Sequence, residues 1–365
     1  MVMVTLVNHC DIVPGLVELF NLVFPTETTV ERWEWKHLEN PLNPPQPKVV
    51  VAVDGDRIVG ARPLMLANIR VGNEILKAGQ PCDTMVHPEY RRRGVISRMN
   101  DLAIEQARTM GVSLFYNFPN PFALRGYLKQ GWQRVMPLES LMRFEEPVQV
   151  AEAKFGRGVA SKVLGTSYRT FFGGIPRRRH WPEEPSCRIV TSDKAVEQLE
   201  GLERLYQKDK IELERSRMYL EWRFDSHPEH KYRYIMCFDK EDLVGYVLVR
   251  LSTWSNGLRV GQIVDYMVGC RNADCVYDMF DRAVIELLRM DCDMLCTWAP
   301  ADEAIYSVLK RSFGFRSSFD FPLKLAFRRE PDWLVARELD TSATGDLDIY
   351  DPTVWHLTPA FCDVA

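Results

Sequence analysis

The strongest constraint on this chain is that it repeats itself once. Residues Arg32–Pro41 align with Tyr219–Pro228, matching Trp35 to Trp222 and Pro41 to Pro228. In each copy an apolar strand, a turn and a second strand follow: Val49–Val53, Asp54-Gly55 and Ile58–Gly60 in the first, and Tyr234–Phe238, Asp239–Asp242 and Leu243–Gly245 in the second. The Asp-Gly pair between apolar runs is a strong hairpin signal. Gly79–Val86 then matches Gly261–Val268 at a constant offset of 182 residues. Each copy runs on into an amphipathic helix (Val95–Thr109 and Cys275–Arg289), a strand, another helix and a closing glycine-aromatic pair, Gly131-Trp132 and Gly314-Phe315. Two α+β domains of one fold follow from this order.

The 365 residues agree with two domains. Expected boundaries are 1–146 for the first domain, 147–187 for a connector with a short helix near Glu152–Leu164, 188–329 for the second domain, and 330–365 for a tail packed on both. Hydrophobic residues make up 46% and charged residues 26%, the balance of a globular chain. A net charge of -4 supplies no global basic field for nucleic acid. The start lacks a basic region followed by a long apolar run, and no apolar stretch reaches the roughly 18 residues of a membrane span. A cytoplasmic protein without a membrane partner is expected. The nine cysteines are scattered without zinc-site spacing, so reduced thiols and no metal are expected. The pair His227/His230 lacks further ligands at suitable spacing and reads as a turn.

The chemistry concentrates in the first copy. Met85-Val86 ends a strand, and Arg91-Arg92-Arg93-Gly94 opens the helix that begins Val95-Ile96-Ser97. A basic turn at a helix start aims unpaired N–H groups at one point, and the helix dipole favours an anion there. Arginine adds forked donors for phosphate oxygens. Arg91-x-x-Gly94-x-Ile96 resembles the R/Q-x-x-G-x-G/A signature of the GCN5-related N-acetyltransferase superfamily, with Ile96 departing from its small last residue. Asn120-x-x-Ala123-x-x-x-Tyr127-x-x-x-Gly131-Trp132 resembles that family's second segment, N-x-x-A-x-x-x-Y-x-x-x-G-F.

The resemblance implies a fold of two tandem acetyltransferase-like domains, α+β (three-layer α/β), each a mixed central sheet flanked by helices. It implies acetyl-CoA or another acyl-CoA as co-substrate, a small-molecule amine as acceptor, and direct acyl transfer. Met85 and Val86 would offer backbone groups to pantetheine and the thioester, and a backbone N–H near Val86 would stabilise the oxyanion. Arg91, Arg92, Arg93, Gly94, Val95, Ile96 and Ser97 would hold the pyrophosphate. A splay between the Met85-Val86 strand and the strand Val112–Asn117 would admit the cofactor. Asn117 and Asn120 would contact it, and Tyr127 would protonate the leaving thiolate. The tandem arrangement also resembles the "enhanced intracellular survival" branch, whose additional C-terminal lipid-carrier-like domain this length does not accommodate.

The general base stays open. Asp83 and Glu34 recur as Asp265 and Glu221 in a copy that lacks the arginine turn and the tyrosine, so structure explains them better. His87, Glu89 and the carboxylate of Ala365 have no such objection, and a water chain needs no dedicated base. Trp35 recurs as Trp222 and reads as core, whereas Trp33 and Phe118 are candidates for an acceptor pocket. A competing reading is a Fem-type aminoacyl-tRNA-dependent transferase, which Arg177–Arg179 with His180 and Trp181 would favour. A third is a non-catalytic CoA-binding scaffold. The repeat supplies a pseudo-dimer within one chain, leaving monomer or homodimer open.

Overall fold

The computed structural model describes residues 2–172, 187–194, 199, 202–269, 272–300, 303–326, 331–341, 343 and 347–363. The first repeat builds two sheets. One has the order β1 (Met3–Asn8), β2 (Lys48–Asp54), β3 (Arg57–Arg62), β6 (Met85–Val86). The other has the order β11 (Ile211–Leu213), β4 (Leu64–Val71), β5 (Glu74–Pro81), β7 (Leu114–Asn117), β17 (Trp333–Glu338), β8 (Gln133–Pro137). Helices α1 (Val13–Val23), α2 (Val30–His37), α3 (Val95–Thr109) and α4 (Pro121–Lys129) cover them. In α3, Val95, Met99, Ala103 and Ala107 recur every fourth residue and are all buried, which lays one apolar face on the sheet.

Both strands of one long hairpin break at the same level. Pro63, with no N–H to give, separates β3 from β4. Opposite it, Cys82–Thr84 separate β5 from β6, and Asp83 takes a left-handed φ of 47°. Beyond the break, β6 stays with β3 while β5 pairs with β7, through Ala78↔Leu114 and Gly79↔Phe115 only. The strands on either side of β7's end therefore part company.

The second repeat forms a seven-stranded sheet with the order β10 (Arg188–Ser192), β12 (Tyr232–Asp239), β13 (Asp242–Thr253), β14 (Arg259–Val268), β15 (Met294–Trp298), β9 (Ser140–Phe144), β16 (Arg316–Ser317). Sheet pairing crosses the linear divisions at 146 and 330. β9, which follows the first domain's own strands, lies between β15 and β16 of the second. β17, from the tail, lies between β7 and β8 of the first. The first half thus lends β9 to the second, and its own sheet takes in β11 and β17 from beyond residue 187.

The halves meet around Trp35 and Trp222. Their rings stack at 5.6 Å, and each indole N–H donates to the other residue's carbonyl at 2.8 Å. This reciprocal pair places the recurring tryptophan of each repeat in a common core with Tyr116, Tyr219, Trp355 and Phe361. The connector differs from the single short helix expected. It is a hairpin of α5 (Pro147–Phe155) and α6 (Val159–Phe172), broken at Gly156, whose φ of 88° no helix tolerates. Of the cysteines, Cys187, Cys237 and Cys275 lie together in the apolar core of the second half.

Candidate active site

The basic turn is formed by a short helical turn, Pro88–Tyr90, followed by four exposed residues, Arg91–Gly94. Arg92 and Gly94 both take left-handed φ, 62° and 71°. Gly94 is the N-cap of α3 and has no side chain to satisfy the first-turn N–H groups of Val95, Ile96 and Ser97, where there is also no acidic residue. A Cβ on Gly94 would meet no atom of the protein within 4 Å, so the glycine answers a dihedral requirement rather than crowding within the chain. Val95 anchors the turn in the core with Val50, Val59 and Val86. Ile96 points outwards, 48% exposed, and leaves the path of the turn unobstructed. Arg91 donates from Nε to the Val86 carbonyl at 3.2 Å, and the Arg93 guanidinium lies over the Tyr90 ring.

Where the strands part, Asn117 is the hub. Its Nδ2 donates to the Pro81 carbonyl (2.6 Å) and to the Tyr127 hydroxyl (2.7 Å), and its Oδ1 accepts from the Phe118 N–H (2.7 Å). Since the Tyr127 oxygen accepts that bond, its own hydrogen is free to be donated elsewhere. Burial raises the Tyr127 pKa above its ordinary value, against the opposing pull of Arg62. Tyr127 is therefore protonated at neutral pH. Asn120 is the N-cap of α4, accepting from the N–H groups of Phe122 (3.1 Å) and Ala123 (3.0 Å), and so aims the helix that carries Tyr127.

Two features of this site were not anticipated. Arg62, at the end of β3, is buried and donates to Thr84 Oγ1 (3.1 Å) and Asn100 Oδ1 (2.9 Å), with its guanidinium 5.7 Å from the Tyr127 ring centre. Its sequence signal is an arginine that closes the apolar run Ile58–Ala61 directly before Pro63. The second is a polar cluster completed by the tail. Lys36 Nζ sits 2.8 Å from Asp83 Oδ2 and 2.7 Å from Asp363 Oδ2, and His37 Nε2 is 2.8 Å from Asp83. Gln80 Nε2 links Asp363 (3.4 Å) to Asn117 (3.5 Å), which joins the cluster to Tyr127. Burial alone would raise the Asp83 carboxyl, but Lys36 and His37 hold it below its ordinary range. Burial lowers His37, which stays neutral.

His87 contacts Arg57 at 2.7 Å, and Glu89 is exposed. Trp33 is a core residue bonded to His9 rather than a pocket wall, while Phe118 packs on Trp298. Ala365 and the Arg177–Arg179 cluster with His180 and Trp181 lie outside the described residues.

In the second half, β14 pairs with β15 only through Val260–Gln262, so the same opening is present. There the tail enters it. His356 Nε2 lies 3.2 Å from the Tyr266 carbonyl, Trp355 bridges to Ile211, and Thr358 donates to Asp265 (2.7 Å). Asp265 is fully buried and held by two 2.8 Å bonds from Arg215 and by the Tyr246 hydroxyl.

Residues 11–135 match the family model described as the acetyltransferase (GNAT) domain. Solved structures of the same fold cover most of the chain. A probable N-acyltransferase from Enterococcus faecalis aligns with a TM-score of 0.60 at 12% identity, covering 93% of this chain and 73% of its own. A GCN5-related N-acetyltransferase from Anabaena variabilis gives the same figures, and one from Kribbella flavida a TM-score of 0.57 at 12% identity, with 94% and 72% covered. No curated protein matches the sequence. Among the described residues no helix is long and apolar enough to cross a membrane.

Proposed function

We propose that the chain is an acyl-CoA-dependent N-acyltransferase, with its first domain catalytic and its second a degenerate copy. The observations that carry this are the Asn117–Tyr127 pair, with Asn117 at the end of β7, and the helix start at Gly94 that has no capping side chain. The opening suits a pantetheine arm, whose amides can take the place of strand pairing between β6 and β7. The turn from Arg91 to Ser97 suits a pyrophosphate. Tyr127, oriented by Asn117 and protonated, donates its hydrogen to the departing sulfur.

The Lys36 cluster favours an amine acceptor. Two carboxylates, Asp83 and Asp363, face one ammonium, with His37 neutral, so a further cation is attracted there. Asp363 is the carboxylate linked through Gln80 to Asn117, which makes it the base candidate with a path to Tyr127. In the second domain the tail fills the corresponding opening, which argues for a structural role of that half. Calorimetric titration with acetyl-CoA tests the reading, followed by a screen of small amines with released thiol as readout. Absence of acetyl-CoA binding at high micromolar concentration would overturn it.

A further inference from the structure

The α5–α6 hairpin carries an exposed apolar face that the acyl-transfer reading does not use. The hairpin is firmly built. A Cβ on Gly165 would lie 2.5 Å from the Val148 Cα, so the two helices cross in direct backbone contact. Tyr168 packs on Phe144 of β9 at 4.9 Å, and Phe172 lies under the Arg316 guanidinium. On its outer side, Phe155, Val159, Val163, Leu164 and Phe171 are 53–79% exposed, and neighbouring Phe321 is 66% exposed. These are six of the sixteen exposed large apolar side chains among the described residues. Phe155, Leu164, Phe171 and Phe321 line an almost wholly apolar groove of about 390 Å³. Soluble surfaces rarely gather such side chains into one patch without a partner.

Charge selects the partner. Residues 147–172 hold four basic side chains, Lys154, Arg157, Lys162 and Arg169, and one acidic, Glu152, in a chain whose net charge is -4. Helix α6 contains no acidic residue at all. Two copies of this face would bring like charges together, whereas an anionic surface with an apolar interior satisfies both features. Arg169 is already paired with Glu146 at 2.8 Å. We propose that the hairpin is a membrane-surface anchor that lays α6 on anionic phospholipid, with Phe155, Val163 and Phe171 entering the acyl boundary and Arg157 and Lys162 meeting headgroups. This reverses the expectation of no membrane partner and is independent of the acyl-transfer reading.

The test is co-sedimentation of the full chain with vesicles of phosphatidylcholine alone or mixed with phosphatidylglycerol. Binding to the mixed vesicles, weakening as salt is raised, is the expected result. The pair Val163→Asp and Phe171→Asp should lower the partition coefficient by about tenfold or more, since each removes a large apolar contact with lipid. Both side chains are exposed, so the thermal melt should stay near that of the parent. The pair Arg157→Glu and Lys162→Glu provides a second route if it does not. Equal sedimentation with and without phosphatidylglycerol would overturn the proposal, as would undiminished binding by both variants. A dimer in solution that Phe171→Asp dissociates, without vesicle binding, would assign the face to a second copy instead.

Discussion

Replacing Gly94 by alanine isolates one physical term at the helix start. The residue sits at φ 71°, is exposed, and its added Cβ would touch nothing in the protein. The substitution therefore adds only the cost of a left-handed conformation for an L-residue, about 1–2 kcal/mol. The surface turn can relax in the free protein, so global stability should fall by less than about 1 kcal/mol. Binding a pyrophosphate restores the left-handed turn, and the cost then appears in affinity as a Kd about 5- to 30-fold weaker. Calorimetry with acetyl-CoA measures this directly. The control is acetyl-pantetheine, which lacks the pyrophosphate and whose affinity should not change. An unchanged acetyl-CoA Kd, or an equal loss for both ligands, would refute the role given to the turn.

Tyr127→Phe should reduce turnover by about 10²–10⁴-fold while leaving the acetyl-CoA Kd within about twofold, because it removes the donated proton and little contact area. Thiol release at saturating substrate decides this, and unaltered turnover removes Tyr127 as the acid. Arg215→Met should cost about 3–5 kcal/mol in urea unfolding, because it leaves Asp265 fully buried without its cation. A loss under about 1 kcal/mol would show that the Tyr246 and Thr358 hydroxyls suffice. The Asp83 carboxyl is held below its ordinary range, so its contribution is complete above about pH 4 and lost as pH falls further. The stability gap between the parent and Asp83→Asn should therefore be constant from neutral pH to about pH 5 and close below about pH 4. A gap that persists at low pH would contradict this.

Much of the site was legible because its parts are local. A positive-φ turn, a bare helix start and an N-cap are set by a few consecutive residues, so Arg91–Gly94 and Asn120 could be placed from the chain alone. The repeat added a control, since Asp265 and Trp222 marked Asp83 and Trp35 as having counterparts in a half without the arginine turn. It could not separate the two aspartates' environments. Asp265 is sealed by Arg215, whereas Asp83 shares Lys36 with a carboxylate from the far end of the chain.

The connector was harder to read, because Glu152–Leu164 straddles two helices whose separation depends on Gly156 and on the close crossing at Gly165. Local pattern alone determined that the chain holds two α+β copies, that one of them keeps a basic helix start without a capping side chain, and that Tyr127 follows it on the next helix. Those features depend on spacing and on backbone dihedrals, which neighbouring residues dictate. Only the tertiary structure decided that β9 joins the second copy's sheet and β17 the first's, that the tail fills the second opening, and that Asp363 reaches Lys36 beside the first. Those outcomes join segments up to 327 residues apart, and their energies come from burial and charge pairing that no local stretch contains.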